Sequence, residues 1–332
     1  GFVGRLYGKL VNVTNTGKVK GIATYNAGVA GFVQQGAVLD GVKNYGEITS
    51  SAAYVAGVAA YVYEDAEFNK CVNYGNISSS VAAGYAAGIA ATALPSKFVE
   101  CVNEGQISSG SSAGIVANCS GKSGGLIYTF DRCQNNGEVT GNGILGGITA
   151  VQGATAGNNV CHYIQCVNNG DITATATQAV SSSAMAGIAA FYSPGSVFEY
   201  CINTGFVTNT KSVYTAGIAA NNKGSATADY PVVFKGCVNT GNIASSAQQI
   251  AGIVAYITNY TSVDSCLNYG TIEQGIWGAA GICYTMAGTT SSLTNCINYG
   301  DVSVTQYNAG GIVGNCASTT AVIENCVNVG NI

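Results

Sequence analysis

Charge is scarce in this chain. Only 8% of its 332 residues are charged, the formal net charge is −4, and the 12 basic residues are scattered along the sequence. A basic stripe able to collect phosphates is therefore missing, and we expect no nucleic acid among the partners. The longest apolar run, 81–94, is too short to span a bilayer and is rich in Gly and Ala, so we expect no membrane span.

Histidine and proline are almost missing, and helical periodicity is absent. The only histidine is His162 and no C-x2-C pair occurs, so we predict neither a metal site nor a Ser-His-Asp set, and no cofactor. Three prolines stand against 46 glycines and an apolar fraction of 47%. This composition is typical of a β-rich extracellular protein built from small residues and excludes a disordered chain.

What the chain does have is one pattern that returns eleven times. Residues 68–77, FNKCVNYGNI, show it as apolar-x-x-C-x-N-x-G-x-[IV], and valine replaces the cysteine in the first two copies. The glycine of the pattern recurs every 29 to 36 residues, at Gly17, Gly46, Gly75, Gly105, Gly137, Gly170, Gly205, Gly241, Gly270, Gly300 and Gly330. A repeat of this length indicates a stacked-repeat architecture.

A second element, Ala or Gly followed by Gly-[IV], occurs ten times between these copies, as at 56–58 and 251–253. Together the elements predict three short strands per repeat, with Ile77 inward and Asn76 and Ser78 outward. We therefore predict an all-β fold, a right-handed parallel β-helix of about eleven coils of about 30 residues. It would be one domain over 1–332 and a fragment of a longer protein, since both ends interrupt the repeat.

Three columns of like residues follow from stacking. Eleven asparagines, two residues before each repeat glycine, are expected to form a hydrogen-bonded ladder at a corner. Nine cysteines at one repeat position are expected to be reduced core thiols, because valine fills the same position at Val13 and Val42; disulfides are the alternative. Tyr45 with Tyr74, and Tyr269 with Tyr299, should stack on the outside.

The two motifs together carry a family resemblance. Gly-[IV]-x-[GA] combined with C-x-N-x-G-x-[IV] resembles the GLUG repeats of bacterial surface proteins, including adhesins and the stalk regions of IgA-cleaving peptidases. The full Gly-apolar-x-Gly form stands at 1–4, 28–31 and 311–314, and alanine replaces its last glycine at Ala60, Ala91 and Ala190. The resemblance implies a secreted or cell-surface β-solenoid with adhesive or spacer duty, and it carries over no catalytic residue.

A specific site requires a break in so regular a pattern, and the breaks are concentrated between Gly114 and Gly241. The segments that follow Gly114, Gly147 and Gly217 are lengthened, as is the segment from Gly170 to Gly187. Insertions in solenoids often form the binding face. The aromatic and imidazole side chains they bring to one region are the predicted ligand contacts: Tyr128, His162, Tyr163, Tyr192 and Tyr230.

Three functions remain open at this stage. We expect a non-enzymatic adhesin, extracellular or at the cell surface, that binds a host or microbial glycan or a surface protein. The alternatives are a carbohydrate-active lyase or hydrolase and a passive spacer. Only Glu138 and Asp171 are acidic neighbours one coil apart, at a spacing that resembles a retaining glycosidase pair, and we interpret them as exposed acids on a polar strip.

Overall fold

The computed structural model describes residues 1–121, 127–152, 159–175, 183–209, 213–246, 248–274 and 277–332. In these ranges every regular element is a β-strand, and the strands stack in parallel to form a β-solenoid of about eleven coils. The predicted fold class is therefore confirmed. No helix in the described part of the chain has the length and apolar character needed to cross a membrane.

Each of the first ten coils contributes one strand to each of five sheets, and the last coil contributes to three of them. We number the sheets in the order in which a coil passes through them. Strands of sheet 1 are Val3–Leu6, Ala30–Val33, Ala59–Val62, Ala90–Ala93, Val116–Cys119, Thr149–Gln152, Ala189–Tyr192, Ala219–Asn222, Val254–Ile257, Cys283–Met286 and Val313–Cys316. Strands of sheet 2 are Lys9–Val11, Val38–Asp40, Glu67–Asn69, Lys97–Val99, Ile127–Asp131, Val160–Ile164, Val197–Glu199, Val232–Lys235, Thr261–Asp264, Ser292–Thr294 and Val322–Glu324.

The remaining three sheets are made of shorter strands. Strands of sheet 3 are Thr14–Asn15, Lys43–Asn44, Val72–Asn73, Val102–Asn103, Gln134–Asn135, Val167–Asn168, Ile202–Asn203, Val238–Asn239, Leu267–Asn268, Ile297–Asn298 and Val327–Asn328. Strands of sheet 4 are Val19–Gly21, Ile48–Ser50, Ile77–Ser79, Ile107–Ser109, Val139–Gly141, Ile172–Ala174, Val207–Asn209, Ile243–Ser245, Ile272–Gln274 and Val302–Ser303. Strands of sheet 5 are Tyr25–Ala27, Tyr54–Ala56, Tyr85–Ala87, Ser111–Ala113, Leu145–Gly146, Ala184–Ala186, Tyr214–Ala216, Gln249–Ala251, Ala279–Ala280 and Ala309–Gly310.

The coil has five strands where three were predicted, because two of the three sequence pieces are divided by a bend. The cysteine piece turns at the residue before the cysteine, where Lys70 and Glu100 both have φ of 51°. The second element turns at its glycine, so that Tyr54–Ala56 belongs to sheet 5 and Ala59–Val62 to sheet 1. The third piece, Ile77–Ser79, is one strand as predicted, with Ile77 buried and Asn76 exposed.

The asparagine column is continuous, and its members from Asn44 to Asn298 are buried. The Nδ2 of each asparagine donates to the Oδ1 of the asparagine one coil on, at 2.7 to 2.8 Å in all ten steps from Asn15 to Asn328. The same nitrogen donates to the carbonyl of the repeat glycine two residues later, as in Asn73 to Gly75 at 2.8 Å. The predicted corner ladder is confirmed.

The glycine of the second element faces this column across the interior. A Cβ added at Gly57 would collide with the side-chain oxygen of Asn73 and with the carbonyl of Gly88, and the same contact recurs in the other coils. The two motifs of the repeat therefore meet inside each coil. Aliphatic, aromatic and thiol side chains of sheets 1 and 2 form one core cluster, and those of sheets 4 and 5 form a second, separate one.

The ladder cysteines belong to the first of these clusters. All thirteen cysteines are free, and the ladder members from Cys71 to Cys296 are buried. Each thiol lies against backbone carbonyls, as when Sγ of Cys133 donates to the carbonyl of Phe98 at 3.3 Å. Burial raises the pKa of Cys133 and Cys201 well above that of a free thiol. The column therefore consists of buried free thiols, and a buried valine, Val42, fills the same position in an earlier coil.

Candidate binding groove at the inserted loops

Three of the four predicted insertions share one edge of the solenoid. They lie between sheet 1 and sheet 2, after Val116–Cys119, after Thr149–Gln152 and after Ala219–Asn222. The fourth follows Ile172–Ala174 and connects sheet 4 to sheet 5. Parts of these loops, 122–126, 153–158 and 176–182, lie outside the described residues, so the site is built only from the residues on either side.

A shallow groove of about 320 Å³ lies at this edge. Its floor is aliphatic because the outward residues of sheet 2 are here unusually apolar: Val160, Val197 and Val233, with Ile127 at one end. Ile127 is 43% exposed, and the loop that ends in Tyr230 and Pro231 forms the opposite wall. In nearby coils the outward position of Val197 and Val233 holds Lys97, Thr129, His162 or Ser262.

The groove continues along the axis towards the N-terminal coils. A second depression of about 150 Å³ shares Ile127 and is lined by Asp65, Glu67, Pro95 and Lys97. The outward positions from Glu67 to Val233 are paired strand to strand over five steps, which at about 4.8 Å per strand is roughly 24 Å. The two depressions meet at Ile127, and we call them together the sheet 2 groove.

Polar groups lie on its rim. His162 is half-buried, and burial lowers the pKa of its imidazole, with a weaker opposing effect from Glu199. Asp229 and Tyr230 stand beside it on the loop wall, and Tyr230 is 38% exposed. Lys97 is paired with Glu67 at 3.3 Å across an exposed ion pair. The groove thus combines an aliphatic floor, a neutral imidazole, a phenol and a mainly acidic rim.

The structure brings together two of the five predicted contact residues, His162 and Tyr230, and places the other three in the core. Tyr128, Tyr163 and Tyr192 are completely buried. Their side chains are therefore unavailable to a surface ligand, and the prediction that they contact one is wrong.

Each buried tyrosine has an internal partner instead. Tyr128 donates its hydroxyl to the carbonyl of Ala93 at 2.9 Å, and Tyr192 donates to the carbonyl of Tyr256 at 2.7 Å. The Tyr163 hydroxyl lies 2.6 Å from the hydroxyl of Thr149. Its ring is stacked between two phenylalanines of the same column, Phe130 and Phe198.

The repeat itself contains the signal that identifies these core positions. Tyr163 occupies the leading apolar position of the repeat, which points inward in every coil, and Tyr128 lies two residues before the inward Phe130. The same alternation places Ile127 and Val197 outward. Because the prediction from sequence favoured aromatic residues, it did not include these aliphatic residues of the groove.

Of the acidic neighbours Glu138 and Asp171, Asp171 belongs to a structural pattern. Oδ1 of Asp171 accepts the backbone N–H of Phe206 in the next coil at 2.8 Å. Asp301 and Asn242 do the same at this ladder position, with Asn331 at 2.7 Å and Thr271 at 2.9 Å. The Asp171 carboxylate therefore has a structural hydrogen bond that recurs along the solenoid, which favours the interpretation of a polar strip.

The exposed tyrosine stacks are present as predicted. Tyr45 and Tyr74 are 4.5 Å apart between ring centroids with 10° between their planes, and Tyr269 and Tyr299 are 4.7 Å apart with 5°. Each ring covers its neighbour, so the pairs expose mainly their edges.

No group of three or more His, Cys, Asp or Glu side chains in the described ranges is placed to hold a metal ion. Comparison of the chain with protein-family models, with curated proteins and with solved structures finds no match.

Proposed function

We propose that this protein is a non-enzymatic adhesive solenoid, secreted or at a cell surface, whose sheet 2 groove binds a polypeptide segment of a partner surface protein. The observation that carries the proposal is the row of outward aliphatic residues at one edge, enclosed by the wall of Tyr230 and Pro231. The resemblance of the repeats to those of bacterial adhesins supports the same assignment.

The shape of the groove favours an extended chain. A length of roughly 24 Å accommodates about seven residues at about 3.3 Å each. Alternate side chains of an extended segment face the same way, so apolar residues at every second position would reach Val160, Val197 and Val233.

The charge of the rim favours basic residues between the apolar ones. Asp65 and Asp229 contribute carboxylates at the two ends of the groove, and the only cation that lines its described part, Lys97, is paired with Glu67. A partner segment in which aliphatic and basic residues alternate would match both the floor and the rim.

Affinity at one groove is expected to be modest. Full burial of an aliphatic side chain contributes about 1.5 to 3 kcal/mol, and ordering the free segment offsets part of this gain. Because the solenoid wall holds the groove in place before binding, no ordering cost falls on the protein side. Adhesion at such affinities depends on many copies acting together at a surface.

The test is selection of a random peptide library on the immobilised protein, followed by binding measurements with three variants. Val197→Asp places a charge on the floor and Tyr230→Ala removes the wall; each is expected to weaken selected peptides at least tenfold. Tyr269→Ala, an exposed tyrosine on the regular wall, is the matched control and should bind normally. The proposal would be contradicted if the selected peptides bound Val197→Asp and Tyr230→Ala with the same affinity as the parent protein. It would also be contradicted if the library yielded no binding peptide.

A further inference from the structure

A second concave site lies on the other side of the solenoid, where sheet 4 connects to sheet 5. In the fourth coil this connection is the single residue Gly110, whereas it is five residues in the coil before, 80–84, and three in the coil after, 142–144. The short connection leaves a notch of about 210 Å³ between its longer neighbours. The backbone is close-packed here, because a Cβ on Gly110 would collide with the carbonyl of Ala82.

The hydroxyl of Ser109 lies in this notch without a partner. Ser109 is 6% exposed, and its Oγ has no hydrogen-bond partner in the described part of the chain. A buried hydroxyl without a hydrogen-bond partner destabilises the folded state. A ligand that forms a hydrogen bond with this hydroxyl would remove that cost.

The equivalent serines of the two preceding coils show what Ser109 lacks. Ser50 donates to the carbonyl of Gly21 at 2.9 Å and accepts the N–H of Ala52 at 3.0 Å. Ser79 donates to the carbonyl of Ala52 at 2.7 Å and accepts the N–H of Val81 at 3.2 Å. In both coils the donor is the backbone N–H two residues after the serine, which lies inside the connection. Two residues after Ser109, the N–H of Ser111 donates to the carbonyl of Gly84 at 2.8 Å, so the one-residue connection at Gly110 leaves Ser109 without this donor.

The lining of the notch is polar and uncharged. No charged side chain lines the notch in the described ranges. Its lining besides Ser109 consists of Ser79, Ser80, Ser108, Asn142 and Thr175, the small apolar residues Val81 and Ala82, and the glycines Gly110 and Gly141. Hydroxyls and amides both donate and accept hydrogen bonds, as the hydroxyls of a sugar do. An anionic ligand would find no cation in the notch, and an apolar ligand would leave its polar groups unpaired.

The notch opens into a longer trough. A neighbouring depression of about 370 Å³ shares Ser79 and Ser80 and extends across Thr49 to Lys20 and Ile22. Its lining is more apolar, and Ile22 is 90% exposed. A ligand that fills the notch can therefore continue along the axis over a surface able to contact the apolar face of a ring.

We propose that the Gly110 notch binds one residue of a neutral oligosaccharide, with the Ser109 hydroxyl as a direct hydrogen-bond partner and the next residues lying in the trough towards Ile22. The site is independent of the sheet 2 groove, since the two share no lining residue.

The test is a glycan array that includes neutral, sialylated and sulfated oligosaccharides, with the parent protein and four variants. We expect binding to one or more neutral glycans, a loss of at least tenfold in Ser109→Ala and in Asn142→Ala, and no change in Ser262→Ala, a control hydroxyl on the outside of sheet 2. Ser109→Ala should melt at or above the parent temperature, because it removes an unpaired buried hydroxyl, so lost binding will not reflect lost folding.

Three results would overturn the proposal: no neutral glycan bound, neutral glycans bound equally by Ser109→Ala and Asn142→Ala, or binding confined to sialylated or sulfated glycans. The fourth variant, Tyr230→Ala, separates this site from the sheet 2 groove. This variant should bind glycans normally even though it is expected to lose peptide binding. The proposals for the two sites can therefore be refuted independently of each other.

Discussion

At the scale of single residues, the asparagine column concentrates polar interactions where the coil bends. Asn168 accepts from Nδ2 of Asn135 and donates to Oδ1 of Asn203 and to the carbonyl of Gly170, all at 2.8 Å. It is completely buried, so no water can replace these bonds without rearrangement. The neighbouring asparagine, Asn169, is exposed and bonds to Asn136 at 2.8 Å on the outside.

These two neighbours make a matched pair for mutation. We expect Asn168→Ala to lower the free energy of unfolding by about 1 to 3 kcal/mol, because it leaves buried amide groups on both sides unpaired. Asn169→Ala should change it by no more than about 0.5 kcal/mol, since water replaces the lost bond. Urea unfolding of both variants measures the difference, and equal effects would show that the buried ladder does not stabilise the corner.

At the scale of elements, sheet 2 carries a continuous column of stacked rings in the core. It runs from Phe68 through Phe98, Phe130, Tyr163 and Phe198 to Phe234, with neighbouring centroids 4.6 to 5.3 Å apart. Parallel strands in register place identical positions one above another, so a single aromatic position in the repeat produces the whole column.

Two tyrosines that the sequence alone had grouped together should differ strongly in their contribution to stability, because Tyr163 lies in the ring column and Tyr230 does not. Tyr163→Ala should destabilise the protein by about 3 to 5 kcal/mol, because it empties a packed position between two rings. Tyr230→Ala, at the exposed wall of the groove, should cost no more than about 0.5 kcal/mol. Thermal melting of both variants distinguishes them, and a Tyr163→Ala variant that melts like the parent would show that the column does not stabilise the core.

How far the sequence predicts the fold differs from element to element. Ile77, the asparagine column and the tyrosine stacks were predictable because each rests on identity at a repeat position. The bend before each cysteine was not, because left-handed backbone there is adopted by Lys70, Glu100, Arg132 and Tyr200, residues that share no chemical property. The lengthened segments indicated the edge of the solenoid at which the groove lies. They did not identify the residues of its floor, because these depend on which side of sheet 2 a residue faces.

At the scale of the whole molecule, every strand pairs only with the same strand of the adjacent coils, so opening is expected to spread from the ends. Side chains of the last coil are largely exposed, including Cys316, whereas those of the central coils are buried. From Cys71 onwards every coil also carries one ladder thiol, which makes the cysteines natural reporters of opening along the axis.

Thiol labelling followed by mass spectrometry should therefore show a gradient. In native protein Cys316 should react first and Cys326 next, while Cys133, Cys166 and Cys201 remain protected, because buried thiols have little access to reagent. In denaturant without reductant all thirteen should titrate as free thiols. Uniform labelling of the native coils would contradict opening from the ends, and a count well below thirteen would contradict the reduced core.

The side-chain amides of the asparagine column also give the molecule an electric dipole along its axis. Every side-chain amide in the column donates towards the C-terminal coil, so the amide dipoles add along the axis, with their negative end at the first coil and their positive end at the last. The charged side chains near each end are opposite in sign to the dipole at that end. Residues 1–39 include four basic residues and no acidic one, whereas 236–332 include four acidic residues and no basic one. Two such rods lying side by side attract each other when they run antiparallel and repel when they run parallel, so crowding on a surface would be sensitive to their orientation.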